Sequence, residues 1–306
     1  MVIRYSYATV ALPTLTPEEA VGYAAAAGYR GLEWKVGEAP HAAGSTAGTF
    51  LRGNRCTLAL DPAAGARAAR LCADAGLAVV GLTPYVQTGD RATLDRVLDV
   101  AEAAGAPQVR LQGPRPRPGG PGYHPLFAQA LGFLDEAQAR AARRGVRIAV
   151  ELHQGTIFPS ASLAHRAVAH FDPARVGVIY DVGNLVVEGY EDRRIATELL
   201  GPYLHHVHLK NAAVSPVDGP RWSPLDDGAV DVAGVLGHLR EIGYAGWVSL
   251  EDLSTERDPL STLRHNAKVL AACGAPDWEE GKEHDLRGCA GDPQAGGGLG
   301  AVARRG

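Results

Sequence analysis

The chain has 306 residues, 46% of them hydrophobic and 21% charged, which is an ordinary globular composition with room for one large domain or two small ones. Its formal net charge of −4 provides no broad basic surface, so nucleic acid and anionic membranes are excluded as partners and a small molecule is expected. The four cysteines form no C-x-x-C pair, and the segment MVIRYSYATV has no apolar stretch long enough for a signal or membrane-spanning helix. We therefore expect a cytoplasmic protein with reduced thiols.

Predicted strands and helices alternate along the chain. Thr16, Pro17 and Glu19 form a helix-start pattern with Thr16 as the N-cap residue, and Gly28 is a typical helix stop. The pattern repeats, with strands at 2–10, 29–36, 77–82, 109–112, 146–151, 176–181, 205–210 and 247–251, and helices at 16–28, 61–75, 88–104, 126–144, 160–170, 191–200, 230–242 and 259–272. The segments 41–57, 115–124 and 212–228 are expected to be loops, because they are rich in residues that interrupt helices and strands.

Eight strands, each followed by a helix, predict an α/β fold of the (β/α)8 TIM-barrel type, which needs about 250 residues. The barrel domain is assigned to residues 1–277, and the Gly-rich remainder, 278–306, is predicted to be a flexible C-terminal tail. A doubly wound open sheet is the alternative architecture. It is less favoured because no G-x-G-x-x-G follows the first strand.

The four C-terminal strands of the prediction end at residues that can bind a metal. These residues are Glu151, Asp181, His208 and Glu251. A lone carboxylate at a strand end usually caps a helix or pairs with a cation, but barrel active sites form where the strands end. Three carboxylates that converge with one imidazole would repel one another without a cation among them. We therefore predict one divalent metal, with Mn²⁺ favoured and Mg²⁺, Co²⁺ or Zn²⁺ as alternatives, since the donor set is rich in oxygen and lacks thiolates.

The strand YLHHVHLKN places His206, His208 and Lys210 on one face, because side chains alternate along a strand. Taken alone, this alternation is equally compatible with an antiparallel strand whose polar face meets water. The carboxylates that end the other strands favour the barrel interpretation. His206 lies deeper in the strand than His208 and is predicted to be structural.

Several motifs also carry a resemblance to a known family. ELH, DVGN, HHVHLK and SLE, together with DDGAVD and LREIGYAGWVSLE, resemble the xylose-isomerase-like TIM-barrel superfamily of sugar phosphate isomerases and epimerases. The similarity extends over residues 3–272 and is strongest from Val146 onward. In that family the corresponding residues after strands five to eight bind one divalent metal, which implies the same four ligands. The resemblance further implies that Glu151 and Glu251 act as a catalytic acid/base pair on a sugar-like substrate.

A second set of residues is predicted to bind substrate, namely His153, Asn184, Lys210, Arg221, Glu33 and Arg110. Each has an alternative role. His153 can instead be satisfied by a backbone carbonyl, Lys210 by a carboxylate, and Glu33 and Arg110 can form buried ion pairs. Arg221 is a candidate anion binder, although exposed arginines are common.

The sequence departs from the family pattern at two positions. Asn184 stands where many members have a histidine that shuttles protons, and Asn211 stands where many have aspartate. The leading hypothesis is a metal-dependent sugar isomerase or epimerase that works through an enediolate. The alternatives are a metal-dependent dehydratase of the same superfamily and a non-catalytic barrel that binds a ligand. A homo-oligomer is compatible with the sequence.

Overall fold

A computed structural model describes residues 2–37, 50 and 53–275. The tail predicted for 278–306 lies outside the described residues, as do 41–49 and 51–52 of the predicted 41–57 loop. None of the described helices has the length and apolar character needed to cross a membrane.

The prediction of a TIM barrel is confirmed. Eight parallel strands close on themselves, because the first strand pairs with both the second and the last. The strands of the described chain are β1 Arg4–Ala8, β2 Gly31–Gly37, β3 Leu58–Ala59, β4 Ala78–Pro84, β5 Gln108–Gln112, β6 Arg147–Glu151, β7 Val176–Asp181, β8 Leu204–Leu209, β9 Asn211–Ser215, β10 Gly219–Ser223 and β11 Trp247–Leu250. The barrel consists of β1, β2, β4, β5, β6, β7, β8 and β11 in that order, and β3 adds two residues to the edge of β2.

The helices pack around the barrel. They are α1 Pro17–Ala26, α2 Pro62–Asp74, α3 Arg91–Ala104, α4 Tyr123–Ala142, α5 Ala161–Val168, α6 Val182–Val187, α7 Arg193–Leu200, α8 Val232–Glu241 and α9 Pro259–Ala272. Thr16 and Glu19 form the predicted capping box, in which the Thr16 side chain accepts from the Glu19 backbone and the Glu19 side chain accepts from the Thr16 backbone. Local sequence signals therefore set where the first helix begins.

Two elements differ from the sequence-based expectation. The short helix α6 follows β7 without a loop, because Asp181 caps it through a hydrogen bond from the Asn184 backbone N–H to Oδ1 at 2.9 Å. The second is an antiparallel hairpin, β9 and β10, in the segment after β8 that we expected to be an irregular loop. Both elements lie at the carboxyl end of the barrel, and α6 sets the orientation of one predicted ligand.

Candidate metal centre

The four predicted ligands come together at the carboxyl ends of β6, β7, β8 and β11. One donor atom from each of Glu151, Asp181, His208 and Glu251 lies within 4.8 Å of the others, and all four side chains are buried. The order of strands in the barrel places β7 and β8 between β6 and β11. The two glutamates therefore approach the cluster from either side of Asp181 and His208.

The two carboxylate oxygens of Asp181 have different partners, one at a helix N-terminus and one in the cluster. Oδ1 caps α6, whereas Oδ2 lies 2.8 Å from Nζ of Lys210 and 3.4 Å from Nδ1 of His208. Because the cap fixes one oxygen, the carboxylate cannot rotate freely. The second oxygen is thus held toward the centre of the cluster.

His208 is oriented by a carboxylate on the opposite side of the barrel. Its Nε2 lies 2.9 Å from Oε2 of Glu33, while its Nδ1 lies 3.3 Å from Oε1 of Glu151. When Nε2 carries the proton and donates to Glu33, the lone pair of Nδ1 points at the carboxylates of the cluster. Burial alone lowers the pKa of His208, but Glu33, Asp181 and Glu151 raise it well above the usual value. A bound cation would take the place of the proton that these carboxylates otherwise attract.

Glu151 is held by two neighbours through one oxygen. Its Oε2 accepts from Nη1 of Arg110 at 3.1 Å and from Nε2 of Gln112 at 2.9 Å, whereas Oε1 is buried without a hydrogen bond. Burial raises the pKa of Glu151, but Arg110, together with smaller contributions from the histidines, lowers it well below its usual value. Glu151 is therefore ionised at neutral pH, with one oxygen directed at His208.

Gln112 was not among the residues predicted from the sequence. It ends β5 just as Glu151 ends β6, so the rule of polar residues at strand ends would have found it had it been applied beyond carboxylates and histidine. A cavity of about 260 Å³ opens beside it, with Arg115 and Arg117 among the lining residues. The cavity therefore adjoins the cluster on the side of Glu151, which Gln112 contacts.

Lys210 contacts two members of the cluster. Its ammonium pairs with Asp181 Oδ2 at 2.8 Å and makes a short contact with Glu251 Oε2, and the side chain is buried. It also lies 4.9 Å from the centre of the Trp222 ring on β10. Carboxylate pairing, one of the two roles considered for Lys210, is therefore observed.

The charges of the cluster leave room for a divalent cation. Four buried carboxylates lie together with two buried cations, Arg110 and Lys210; the carboxylates are those of Glu33, Glu151, Asp181 and Glu251. With neutral imidazoles, this set carries an excess of two negative charges. Because buried charges are stable only when they are compensated, and because Glu151 Oε1 and His208 Nδ1 face each other without a hydrogen bond, the residues fit a divalent metal.

Asn184 and His153, which were also predicted to bind substrate, contact backbone carbonyls. Asn184 is fully buried, and its side-chain nitrogen donates to the Leu152 carbonyl at 2.9 Å. His153 Nδ1 lies 2.8 Å from the Gln154 carbonyl and 3.3 Å from Nη2 of Arg115, which is the backbone-satisfied arrangement considered as its alternative. Their roles toward a substrate stay predictions.

Arg221 and His206 lie at opposite extremes of exposure. Arg221 is on β10 with 62% of its side chain exposed, and its described ion pair is to Glu256 at 3.9 Å. Neither residue of this ion pair is a member of the cluster. His206 is fully buried below His208, where its Nε2 lies 3.0 Å from Ser249 Oγ. This is the barrel-interior location expected for a structural residue.

Comparison with known proteins places the chain in a family. Residues 21–273 match the model of the xylose isomerase-like TIM barrel, so the protein belongs to that family. The family includes isomerases, epimerases and dehydratases. Membership agrees with the closed eight-stranded barrel and with the resemblance noted from the motifs.

Similar proteins carry more than one activity in their names. Inosose dehydratase of Geobacillus thermodenitrificans is 27% identical over 133 residues, which are 39% of this chain and 43% of that protein. The chain thus matches less than half the length of this curated relative. The crystal structure of the probable 3-DHS dehydratase AsbF from Bacillus anthracis has a TM-score of 0.68 at 14% identity, covering 88% of this chain and 99% of the other. D-allulose 3-epimerase from Methylomonas sp., in complex with D-allulose, has a TM-score of 0.61 at 19% identity, covering 89% and 94%.

Proposed function

We propose that this protein is a divalent-cation-dependent isomerase or epimerase acting on a sugar or a related polyhydroxy carbonyl compound. The observation that carries the proposal is the convergence of donor atoms from Glu151, Asp181, His208 and Glu251 within 4.8 Å, in a cluster with excess negative charge. Mn²⁺ is the proposed cation because the ligands combine carboxylates with one imidazole, and Mg²⁺, Co²⁺ or Zn²⁺ are alternatives. When bound, such a cation would polarise the substrate carbonyl and stabilise the negative charge of an enediolate.

Glu151 and Glu251 are the proposed acid/base pair. They end β6 and β11 and flank the centre, and each commits Oε2 to a buried cation. One carboxylate would take the proton from the carbon next to the carbonyl, and a proton would then be returned. Return at the opposite face of that carbon gives an epimer, whereas return at the neighbouring carbon gives an isomer.

The neighbouring cations affect the protonation of Glu151 and the position of Glu251. Arg110 keeps Glu151 ionised, so Glu151 begins the reaction as a proton acceptor, although its lowered pKa weakens it as a base. Lys210 keeps Glu251 and Asp181 close together and has an ammonium at the mouth of the barrel that can donate to a substrate oxygen. Asn184 can hydrogen-bond but cannot shuttle a proton, so proton transfer is assigned to the glutamates.

Dehydration is the second candidate. It is favoured by the similarity to inosose dehydratase, and it begins with the same proton removal. In this reaction the enediolate expels a hydroxyl group from the next carbon, which leaves as water, and no proton is returned to carbon. A single carboxylate base and a proton donor for the leaving group are sufficient.

Product mass separates the two candidates. The Mn²⁺-loaded protein would be incubated with a panel of ketoses, cyclic polyhydroxy ketones and keto acids, and products would be analysed by mass spectrometry and NMR. In H₂O an isomer or epimer has the same mass as the substrate, whereas the product of dehydration is lighter by one water. In D₂O an isomer or epimer gains one deuterium at the carbon that is reprotonated. Glu151→Gln and Glu251→Gln should abolish turnover, while Glu102→Gln, at an exposed position on α3, should not. Full activity in either active-site variant would overturn the assignment.

The non-catalytic alternative predicts a different result. A barrel that only binds a ligand would show no turnover with any compound of the panel. If the purified protein also held no divalent metal and its melting temperature did not respond to Mn²⁺, the proposed enzyme function would be rejected.

A further inference from the structure

Lys35 lies on the interior face of β2, close to the mouth of the barrel. Side chains alternate along this strand, with Trp34 and Val36 in the apolar core and Glu33 directed across the barrel to His208. Lys35 is two residues beyond Glu33 and shares its face, and it lies nearer the carboxyl end, where the cluster is. The arrangement resembles that of His208 on β8 and Lys210, which follows the end of that strand.

The side chain of Lys35 is buried and has few polar partners among the described residues. The residue is 6% exposed, and Nζ donates to Oγ1 of Thr57 at 3.2 Å. It also lies 5.8 Å from the centre of the Tyr85 ring. In the described part of the chain no carboxylate forms an ion pair with it, unlike Arg110 and Lys210. A lysine ammonium carries three N–H donors, and among the described residues only Thr57 accepts from one of them, which leaves two for another partner.

A second cation lies next to Lys35. The guanidinium of Arg110 stacks on the same Tyr85 ring, with Cζ 4.6 Å from its centre, and its Nε is buried without a hydrogen bond. Burial lowers the pKa of Lys35, and the charge of Arg110 lowers it further. Tyr85 is 39% exposed, so this group of residues is open to solvent on one side. A buried cation beside another cation is unfavourable unless an anion compensates it.

We propose that Lys35 binds an anionic group of the substrate, a carboxylate or a phosphate, beside Tyr85 and Arg110 on the β2 side of the mouth. Lys35 would supply two charge-assisted hydrogen bonds, and the Tyr85 ring would form the wall of the subsite. The identity of the substrate as a carbonyl compound rests on the proposed function, but the anion subsite does not. The substrate class becomes acidic or phosphorylated polyhydroxy carbonyl compounds rather than neutral sugars.

The test uses three polyols that lack a carbonyl and cannot react. Neutral glucitol, gluconate and glucitol phosphate would be titrated into the protein by calorimetry, both with Mn²⁺ and after chelation of metals. We expect at least one anionic polyol to bind about tenfold or more tightly than glucitol, as one or two charge-assisted hydrogen bonds would provide. Tighter binding of gluconate would identify the anionic group as a carboxylate, and tighter binding of glucitol phosphate would identify it as a phosphate.

Variants assign the effect to Lys35. Lys35→Met should lose the preference for the anion, Lys35→Arg should retain part of it, and Lys268→Met, at an exposed position on α9, should retain all of it. Lys35→Gln would replace the methionine variant if the latter did not fold. Because no carboxylate of the described residues forms an ion pair with Lys35, Lys35→Met should melt at the same temperature as wild type or higher. Equal binding of all three polyols by wild type, or an unchanged preference in Lys35→Met, would overturn the proposal.

The two proposals can fail separately. The polyols bind without turnover, so loss of the anion preference leaves the proton-transfer assignment of Glu151 and Glu251 unaffected. Conversely, a protein that binds the anion but converts no carbonyl compound would refute the enzyme function alone.

Discussion

His208 Nε2 lies 2.9 Å from Glu33 Oε2, although the two residues are 175 positions apart in the sequence. The contact crosses the barrel interior from β8 to β2. It fixes the ring of His208 so that Nδ1 faces Glu151 and Asp181 at 3.3 and 3.4 Å. A carboxylate behind a ligating histidine sets the tautomer and raises the basicity of the ligand nitrogen.

Glu33→Gln should therefore weaken metal binding without preventing folding. The amide keeps the size of the side chain but removes the negative charge behind His208, and loss of such a partner typically costs about 10- to 100-fold in metal affinity. Calorimetric titration with Mn²⁺ would measure the dissociation constant, with circular dichroism to check the fold. Glu102→Gln is the matched control. A dissociation constant equal to that of wild type would show that Glu33 does not act through His208.

Removal of metal should lower the thermal stability of the wild-type protein. A ligand present at a hundredfold excess over its dissociation constant adds about 2.7 kcal/mol to the free energy of unfolding. A chelator should thus lower the melting temperature, and added Mn²⁺ should restore it.

Asp181→Asn tests whether that response arises at the cluster. Asparagine keeps the oxygen that caps α6, since Asn is as good an N-cap residue as Asp, but it removes the charge from the predicted ligand. The variant should fold and should lose most of its response to Mn²⁺ in a thermal melt. A full response would place the stabilising metal elsewhere.

Local sequence signals account for much of the fold. The capping box at Thr16 and Glu19 and the bounds of α9 agree with the expectation, because both depend on residues close in sequence. The β9 and β10 hairpin was missed because its register, for example Arg221 opposite Ala213, has no alternating pattern in the sequence. Helix α6 was missed because its apolar run VGNLVV is too short to show helical periodicity.

The candidate site shows the same difference between features set by local sequence and features set by contacts in space. Strand ends are recognisable from sequence, so the four predicted ligands could be named before they were seen to converge. Their partners could not, because the contacts of Glu33 with His208 and of Arg110 with Glu151 depend on which side chains meet across or between strands. Gln112 and Lys35 were not predicted for the same reason, since the role of each depends on residues that are close in space but distant in sequence.

Close packing of α2 against α3 gives a test of the fold that is independent of metal. A Cβ atom on Gly65 would lie 2.4 Å from the Val100 carbonyl oxygen, so Gly65→Ala must push the two helices apart. Overpacking of this kind costs about 1–3 kcal/mol. Urea unfolding would measure the loss.

Gly132→Ala is the matched control for that change. Gly132 lies on the exposed side of α4, and a Cβ atom added there would meet no heavy atom within 4 Å. Alanine should stabilise the protein at this position by about 0.5–1 kcal/mol, because it restricts the unfolded chain and favours the helix. Equal effects of the two substitutions would contradict the close contact between α2 and α3.

Lys210→Met should separate metal binding from turnover. The ammonium of Lys210 contacts both Asp181 and Glu251, so it partly neutralises two carboxylates that are predicted to bind the cation. Its removal should tighten Mn²⁺ binding roughly tenfold, as expected for loss of one positive charge close to a cation in a partly screened site. Turnover should fall, because the proposed donor to the substrate oxygen is lost. Calorimetry and steady-state kinetics would measure the two effects, with Lys268→Met as the control, and weaker metal binding in Lys210→Met would instead show that the lysine holds the carboxylates in position for the cation.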